Sequence, residues 1–546
     1  MQSSMMRFPL TLTSILERAG KLFGKVEIVS RLPDRSLHRS NYADLYRRSR
    51  ALAAALAGAG LGRGERVASL MWNHVWHLES YFGVPASGGV LHTLNLRLHP
   101  DELAYIVNHG GDRMLIVDDV LLPVYEKFRA KVRIERVIVV PTTGRPVPAG
   151  YENYEEFLKH GADGYQFPQP DEDEAAVMCY TSGTTGAPKG VIYSHRALVL
   201  HSFCISLPDC FSLGQNGCIL PVVPMFHANA WGCPYAASML GMKQVMPGQH
   251  LDAASLLELL EGEGVTRTAG VPSVWFGILE LLDREPGRWR LDPKLLVVVG
   301  GAALPESMIR AFDRHDIDVR QAWGMTEMTP VGTVSSLKSC MRGWSGQDQL
   351  AARAKQGPPV PFIECRAMAA EREVPWDGQS MGELQVRGPW VASGYHDLPD
   401  LRQSWTADGW FRTGDVVTID PEGYVKIADR TKDLIKSGGE WISSVDLENA
   451  LMGHPSVREA AVIAVAHPRW QERPLAVIVL KEGCTATPED LRSHLAAKFS
   501  HWQLPDAIVF VPEIPRTSVG KFQKSRLREM FSGWEWKETG AGTAIR

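Results

Sequence analysis

Short runs of β-branched and other apolar residues alternate with helix-like segments along most of this chain. Such runs are RVASLMW (66–72), RMLIVDD (113–119), RVIVV (136–140) and KLLVVVGG (294–301). Short apolar runs of this kind are typical of strands buried inside α/β layers. The alternation therefore predicts an α/β fold for the bulk of the chain.

One helix can be placed from the sequence alone, over residues 42–58. Asn41 is a good N-terminal cap for it, and Gly58 and Gly60 stand at its end. Residues with helical spacing would form its buried face, namely Leu45, Ser49, Leu52 and Leu56.

The pattern changes to smaller units near the end of the chain. Residues 416–429 read as a hairpin with a Pro-Glu-Gly turn, and Thr487 followed by Pro488 predicts the start of a helix. We place a domain boundary here, with one domain over residues 1–430 and a second over residues 431–546. No Pro/Gly/Ser-rich linker marks this boundary, so it depends mainly on the motifs described below.

Composition favours a small-molecule partner. The 546 residues include 58 basic and 62 acidic side chains, a formal charge of −4, which gives no electrostatic footprint for nucleic acid or an anionic membrane. The eight cysteines form neither a CxxC pair nor a cluster with metal-ligand spacing. The N-terminus fails as a secretion signal and no run is long enough to span a bilayer, so we expect a cytoplasmic protein.

The stretch TSGTTGAPKG (181–190) is almost a phosphate-binding P-loop. A Walker loop has a second glycine where Pro188 stands here, and a hydroxyl residue where Gly190 stands. What remains still suits phosphate, because small residues let backbone N–H groups approach while hydroxyls and Lys189 add donors and charge. A surface turn between two elements is the competing interpretation.

Read in full, YTSGTTGAPKGVIYSH (180–195) resembles the phosphate loop of the adenylate-forming superfamily, which contains acyl-CoA synthetases, adenylation domains and luciferases. Further motifs resemble that family in its own order: PMFHANAW (224–231), VVGGAAL (298–304), WGMTE (323–327), the stretch 413–443 and PRTSVGKFQK (515–524). The resemblance covers nearly the whole chain. It implies an α/β fold with a large N-terminal domain of layered sheets and helices in several subdomains, and a small mobile α+β C-terminal domain.

The resemblance implies that ATP binds at this loop and that a carboxylate attacks its α-phosphate, with pyrophosphate as leaving group. Thr181 and Glu327 match the family's Mg²⁺ ligands, and hard oxygen donors suit that ion. Lys521 matches the lysine that bridges the acyl carboxylate and the α-phosphate during adenylation. Taken alone, Glu327 and Lys521 would be ordinary surface charges.

The same resemblance implies a nucleotide site. Asp415 would accept hydrogen bonds from the ribose, Arg430 would donate to ribose or phosphate, and Trp323 would stack on adenine. A turn aspartate, a surface ion pair and a core tryptophan are the structural alternatives. The remaining positions expected to bind nucleotide are Ser182, Gly183, Thr184, Thr185, Gly186, Lys189, Gly300, Gly301, Ala302, Gly324, Met325 and Thr326.

Other matched positions concern the acid and CoA. His227 would position the acyl carboxylate, Trp231 resembles a gate of the acyl tunnel, and Gly301 would let the substrate approach closely. Buried structural roles are the alternatives for His227 and Trp231. Lys432 matches a hinge about which the C-terminal domain rotates. The segment after it would help form the CoA channel with Lys436, Gly438 and Gly439, and Trp441 in the same segment resembles an adenine-side gate.

The acid is expected to be an uncharged medium- or long-chain fatty acid, because HANAWGCPY (227–235) has no carboxylate to pair with an amino acid's ammonium group. The resulting prediction is an AMP-forming fatty acid–CoA ligase that uses ATP, Mg²⁺ and CoA. Three alternatives stay open: a CoA ligase for a short, methylthio or aromatic acid, an enzyme that loads a carrier protein, and a noncatalytic nucleotide-binding protein. The resemblance also suggests a homodimer, with peripheral membrane contact left open.

Overall fold

The computed structural model of the protein describes residues 3–161, 164–181, 187–438, 440–517 and 521–536. Its α-helices are α1 (Leu12–Phe23), α2 (Tyr42–Gly58), α3 (Val75–Ala86), α4 (Pro100–Gly110), α5 (Leu122–Glu126), α6 (Tyr154–Leu158), α7 (His195–Ser206), α8 (Cys233–Leu240), α9 (Ala253–Gly262), α10 (Pro272–Arg284), α11 (Glu306–Arg314), α12 (Gly346–Arg353), α13 (Ser444–Met452), α14 (Pro488–Ala496) and α15 (Lys524–Met530).

Its strands are β1 (Glu27–Arg31), β2 (Leu37–Asn41), β3 (Arg66–Leu70), β4 (Val90–Thr93), β5 (Asp112–Asp118), β6 (Arg136–Val140), β7 (Glu152–Asn153), β8 (Ala175–Tyr180), β9 (Gly190–Ser194), β10 (Cys218–Pro221), β11 (Lys243–Met246), β12 (Arg267–Gly270), β13 (Leu296–Gly300), β14 (Asp318–Gly324), β15 (Val331–Val334), β16 (Glu364–Ala369), β17 (Arg372–Glu373), β18 (Gly382–Arg387), β19 (Phe411–Ile419), β20 (Val425–Arg430), β21 (Ile435–Ser437), β22 (Glu440–Ile442), β23 (Val457–His467), β24 (Gln471–Leu480) and β25 (Ala507–Phe510).

The elements expected from the sequence are confirmed. α2 spans the predicted residues, with the Asn41 side chain accepting a hydrogen bond from the Asp44 N–H group and with the predicted apolar face buried. The four apolar runs became β3, β5, β6 and β13. Thr487 caps α14 by accepting from the Asp490 N–H group, and β19 and β20 form the predicted hairpin.

Two large sheets form most of the chain. One has the strand order β15-β14-β13-β12-β10-β11-β1-β2, and the other has the order β7-β6-β5-β3-β4-β8-β9. Pairing is parallel throughout both, apart from the antiparallel edge pairs β14–β15, β1–β2 and β8–β9. Carboxyl ends of parallel strands meet at one edge of a sheet, which is where α/β proteins bind ligands.

Two smaller sheets complete the chain. One has the order β17-β16-β18-β19-β20, and the last has the order β22-β21-β24-β23 with β25 paired to β24. The last sheet carries its own apolar core, in which Leu447 and Leu451 of α13 and Leu491 and Leu495 of α14 are buried. The end of β20 at Arg430 coincides with the predicted domain boundary at residues 430 and 431, which stays a prediction.

A buried polar network joins β20 to the last sheet. Asp429 accepts hydrogen bonds from the N–H group (2.8 Å) and the hydroxyl of Ser444. Lys524 Nζ lies 2.8 Å from Glu448 Oε1 and also donates to the Ser444 hydroxyl. Burial raises the pKa of Glu448, whereas Glu448 and Asp429 raise the pKa of Lys524 against the effect of its burial. The network therefore fixes α13 and α15 against the end of the larger part.

We expect Lys524→Met to destabilise this junction, because it leaves the Glu448 carboxylate buried without its cation. The free energy of unfolding should fall by about 3 kcal/mol, as for other broken buried ion pairs. Denaturant unfolding followed by tryptophan fluorescence measures this change. The double variant Glu448→Gln with Lys524→Met should recover most of the loss, and equal destabilisation in both variants would contradict the role of the buried charge.

Candidate active site

One cavity of about 810 Å³ lies at the carboxyl ends of the parallel strands. It is closed on one side by residues of the C-terminal part, including Lys521 and Phe522. Of the residues predicted from the sequence, those that line it are Thr181, Lys189, His227, Trp231, Gly300, Gly301, Ala302, Trp323, Gly324, Met325, Thr326, Glu327, Asp415, Arg430, Lys432 and Lys521. The structure thus brings together residues separated by up to 340 positions in sequence, from Thr181 to Lys521.

The predicted phosphate loop connects β8 to β9, and its two ends are held together. The Thr181 N–H group donates to the Lys189 carbonyl oxygen (3.0 Å), and the Lys189 N–H group donates to Thr181 Oγ1 (3.1 Å). Both residues therefore face one another at the neck of the loop. Ser182, Gly183, Thr184, Thr185 and Gly186 lie outside the described residues, so their predicted contacts with phosphate stay predictions.

Glu327 lies in a short 3₁₀ turn, Thr326–Met328, that follows β14. Its side chain is only 5% exposed, yet it borders the cavity. The Tyr395 hydroxyl donates to Glu327 Oε1 at 2.6 Å. Burial, together with the Glu327 carboxylate, raises the pKa of Tyr395, so its hydroxyl keeps the proton that it donates.

Lys521 reaches the cavity from the other side. Its N–H group donates to Thr517 Oγ1 (3.2 Å). A methyl group added at Gly301, where φ is +86°, would lie 3.3 Å from Lys521 Cε, so the glycine leaves room for the lysine. Loss of water around the ammonium group and the nearby Arg430 charge lower the pKa of Lys521 to about 8, although Asp415 and Glu327 oppose the shift.

The predicted ribose-binding residues form a connected group. The Trp323 indole N–H donates to Asp415 Oδ2 (2.9 Å), and Arg430 Nε lies 3.2 Å from Asp415 Oδ1. The Asp415 side chain is 4% exposed, so these two partners hold a buried carboxylate in a fixed orientation. Gly324 beside them has a packing reason to be glycine, because a Cβ there would lie 1.8 Å from the Pro330 carbonyl oxygen.

The predicted acyl end of the cavity is built on unusual backbone. Four consecutive residues, Ala228 to Trp231, have φ between +42° and +55°. For residues other than glycine the left-handed region costs roughly 1–2 kcal/mol each. This strained turn is almost completely buried and sets the Trp231 ring against Gly300, where an added Cβ would lie 3.0 Å from Trp231 Cη2.

His227 precedes this strained turn and faces the cavity. Burial is the main reason why the pKa of His227 falls to about 3, with the Lys521 and Arg97 charges adding to the shift. Its imidazole is therefore neutral at pH 7. A neutral ring with so low a pKa agrees with the expectation that His227 positions substrate and does not transfer a proton.

The described residues of the predicted CoA segment lie apart from this cavity. Lys436, Gly438 and Trp441 belong to the hairpin of β21 and β22, and none of the three lines the cavity wall. Lys436 Nζ lies 5.0 Å above the Trp441 ring, which is 44% exposed. Gly439 lies outside the described residues. In this arrangement Lys521, not the glycine segment, faces the cavity.

Sequence reasoning missed two cavity residues with clear chemistry. Arg97 brings a guanidinium group near His227 and Phe226, and burial lowers its pKa. Tyr395 contacts Glu327. The stretch SGYHDLPD around Tyr395 carried turn residues only, and Arg97 stands in a loop before α4, so neither stood out in the sequence. Their roles depend on contacts across more than 60 positions.

The donors at Glu327 and Thr181 fit a Mg²⁺ ion. A buried carboxylate and a hydroxyl that border the same cavity are hard oxygen ligands, and Mg²⁺ is usually bound through one or two carboxylates plus substrate phosphates. Within the described ranges, no group of three or more His, Cys, Asp or Glu side chains is placed to hold a metal ion. The remaining ligands would then come from the nucleotide.

Comparison with known families agrees with this site. Residues 17–396 match the model of the AMP-binding enzymes, and residues 446–521 match that of the AMP-binding enzyme C-terminal domain. The chain belongs to the AMP-binding enzyme family. The resemblance inferred from the motifs is therefore confirmed.

Relatives in this family cover almost the whole chain. A long-chain-fatty-acid–CoA ligase of Thermus thermophilus is 52% identical over 535 residues, which is 97% of each chain. A medium-chain-fatty-acid–CoA ligase of Ectopseudomonas oleovorans is 43% identical and covers 97% of this chain and 98% of its own. A 3-methylmercaptopropionyl-CoA ligase of Ruegeria pomeroyi is also 43% identical, over 97% of this chain and 99% of its own.

Solved structures share the fold of this chain. An anthranilate CoA ligase in complex with anthranoyl-AMP has a TM-score of 0.86 and 25% identity, over 97% of this chain and 99% of its own. An ATP-bound MatB of Rhodopseudomonas palustris has a TM-score of 0.80. The predicted α/β fold with a further C-terminal domain is thus confirmed. In the part of the chain that the structure describes, no helix is both long and apolar enough to cross a membrane.

We expect the kcat/KM of the adenylating reaction to fall as the pH rises above about 8. A bridging ammonium must carry its charge, and kcat/KM reports groups of the free enzyme, where Lys521 has a pKa of about 8. Initial rates of pyrophosphate release between pH 6 and 10 measure this fall, the alkaline limb of the pH profile. The Lys521→Arg variant stays protonated over this range, so its residual activity should lack the limb. If kcat/KM of that variant fell at the same pH, the alkaline limb would belong to a group other than Lys521.

Proposed function

We propose that this protein is an ATP-dependent fatty acyl-CoA synthetase. It activates a medium- or long-chain fatty acid as acyl-AMP with release of pyrophosphate, and then transfers the acyl group to CoA as a thioester. The main observation behind this proposal is that Lys521, Glu327 and Thr181 line one cavity of an AMP-binding enzyme. Its relatives include proteins named fatty-acid–CoA ligases.

Adenylation must bring a carboxylate anion to a triphosphate. We assign the charge compensation to Lys189 at the phosphate loop and to Lys521 between the acyl carboxylate and the α-phosphate. Fixed cations in a site with little water stabilise the charge that develops on the α-phosphate. Bound Mg²⁺ would supply Lewis-acid neutralisation of the phosphate oxygens, held by Glu327 and Thr181. Asp415 and Arg430 would fix the ribose, with Trp323 beside adenine.

Thioester formation would follow in the same cavity. The CoA sulfur attacks the acyl carbonyl carbon, its proton is lost to solvent, and AMP leaves, so the protein needs no cysteine nucleophile. We assign Lys432 to the hinge, and Lys436, Gly438, Gly439 and Trp441 to the CoA channel. Lys432 borders the cavity, whereas Lys436, Gly438 and Trp441 lie apart from it, so the assignment requires the C-terminal part to rotate between the two half-reactions.

The walls of the acyl end support an uncharged apolar acid. Val222, Val223, Trp231, Val271 and Phe276 line the cavity without offering a charge, and the Arg97 cation near His227 would face the carboxylate end of the acid. A carrier-loading enzyme would share the first half-reaction and differ in its thiol. A short thioether acid is the second candidate, since a relative of 43% identity is named for 3-methylmercaptopropionate.

Two further properties are proposed from the resemblance. The protein would form a homodimer and would work in the cytoplasm, with peripheral contact to a membrane as an alternative. Sedimentation or light scattering of the purified chain tests the first property. Fractionation of cells that produce the chain tests the second.

We expect Lys521→Ala to abolish most adenylation and to spare the second half-reaction. Loss of one charge that stabilises the transition state lowers kcat by about 10²–10³. Pyrophosphate release measures the first step, and thioester formation from supplied acyl-AMP measures the second. Lys498→Ala, which removes an exposed lysine of the same C-terminal part, serves as control. Equal losses in both half-reactions would contradict the assignment of Lys521.

The function itself is tested by mass spectrometry of thioesters. Purified protein is incubated with ATP, Mg²⁺, CoA and a mixture of straight-chain acids from short to long, together with aromatic and methylthio acids. A thioester peak at medium or long chains is expected. Acyl-AMP without thioester would favour the carrier-loading enzyme, and absence of both products would favour the noncatalytic protein.

A further inference from the structure

A short segment that no motif identified, residues 390–396, connects the two halves of the phosphate side of the cavity. We call it the bridging segment. Its Ala392 N–H group donates to the Glu327 carbonyl oxygen (2.8 Å), and its His396 N–H group donates to the Gly190 carbonyl oxygen (2.9 Å). One end is thus bonded to the predicted metal ligand and the other to the residue after Lys189.

The bridging segment is itself rigidly held. The Trp390 indole N–H donates to the Val331 carbonyl oxygen (3.0 Å), and Thr329 Oγ1 donates to the Trp390 carbonyl oxygen (2.9 Å). The Trp405 indole donates to the Ala392 carbonyl oxygen (2.7 Å). These bonds leave the segment little freedom relative to the turn that carries Glu327.

Tyr395 is the side chain through which this segment acts on the cavity. Its hydroxyl donates to Glu327 Oε1 (2.6 Å), and Lys189 Nζ lies 4.9 Å from the centre of its ring. The Trp405 ring packs against it at 5.2 Å with an interplanar angle of 69°. The ring is therefore fixed with a carboxylate at its hydroxyl end and an ammonium group over its face.

We propose that Tyr395 is a positioning residue that sets the distance between the metal-binding carboxylate of Glu327 and the phosphate-binding ammonium of Lys189. The inference rests on the proposed function, because it takes Glu327 as the Mg²⁺ ligand and Lys189 as a phosphate ligand. The hydroxyl donates to Glu327 Oε1 and leaves Oε2, which would bind Mg²⁺. The ring face contacts Lys189, whose ammonium group would bind the phosphates of the same nucleotide.

The two contacts are separable by substitution. Tyr395→Phe removes only the hydroxyl and keeps the ring under Lys189 and against Trp405. Tyr395→Leu removes both. Tyr424→Phe is a matched control, because Tyr424 is a buried tyrosine whose hydroxyl bonds to the Ser336 carbonyl oxygen and which does not border the cavity.

The experiment is calorimetric titration of each variant with ATP, without acid or CoA, once in Mg²⁺ and once in excess EDTA. We expect Tyr395→Phe to weaken ATP binding about tenfold in Mg²⁺ and less than about twofold in EDTA, since partners of metal ligands tune metal affinity. Tyr395→Leu should weaken binding about fivefold in EDTA as well, through Lys189. Tyr424→Phe should match the unsubstituted protein in both buffers.

A double-variant cycle checks that the hydroxyl acts through Glu327. In a Glu327→Gln background, Tyr395→Phe should add less than a twofold change in Mg²⁺, because coupled residues are not additive. Equal weakening by Tyr395→Phe in Mg²⁺ and EDTA would overturn the inference, as would full additivity or an unchanged affinity. Pyrophosphate release by the unsubstituted protein with a fatty acid is measured in parallel. Its absence overturns the proposed function, whereas its presence with an unaffected Tyr395→Phe variant overturns this inference alone.

Discussion

The active cavity depends on holding cations where water is scarce, and above all on the ammonium group of Lys521. A lysine removed from water tends to lose its proton, and its lowered pKa reflects that cost. Asp415 and Glu327 offset part of this cost through their charges. The carboxylates that are assigned to nucleotide and metal therefore also keep the lysine charged. The charge of Lys521 is thus partly compensated by carboxylates from distant parts of the chain.

This balance requires the C-terminal part to be held against the larger part. The Asp429, Ser444, Glu448 and Lys524 network does so beside the cavity. Buried ion pairs contribute little net stability, since desolvation opposes attraction, but they strongly penalise arrangements that leave one partner unpaired. The network is thus better suited to define one orientation of α13 and α15 than to add overall stability. Lys521 stands three residues before Lys524, and its N–H group donates to Thr517 Oγ1.

Much of this could be predicted from the sequence, for identifiable reasons. α2 and β6 followed from local periodicity and capping, which are properties of adjacent residues. Lys521, Glu327 and Asp415 came from motifs, because a family resemblance carries spatial information that a single sequence lacks. Tyr395 could not be predicted, since its partner Glu327 lies 68 positions away and no local pattern marks a tyrosine that positions a carboxylate. The strained turn from Ala228 to Trp231 was equally invisible, because alanine and tryptophan rarely adopt left-handed backbone and a single asparagine does not predict four such residues in a row.

The separation between the cavity and the β21–β22 hairpin has a mechanistic consequence. Lys521 fills the side of the cavity next to Gly301, whereas Lys436 and Trp441 lie outside its wall. An incoming thiol needs a path to the acyl carbon, and an ammonium group that bridges carboxylate and phosphate lies beside that carbon. With Lys521 in its proposed bridging role, lysine and thiol would compete for the same region, and removing one to admit the other would require movement of the C-terminal part. The bonds from Ser444 to Asp429 cross between the two parts, so they would have to break during that movement.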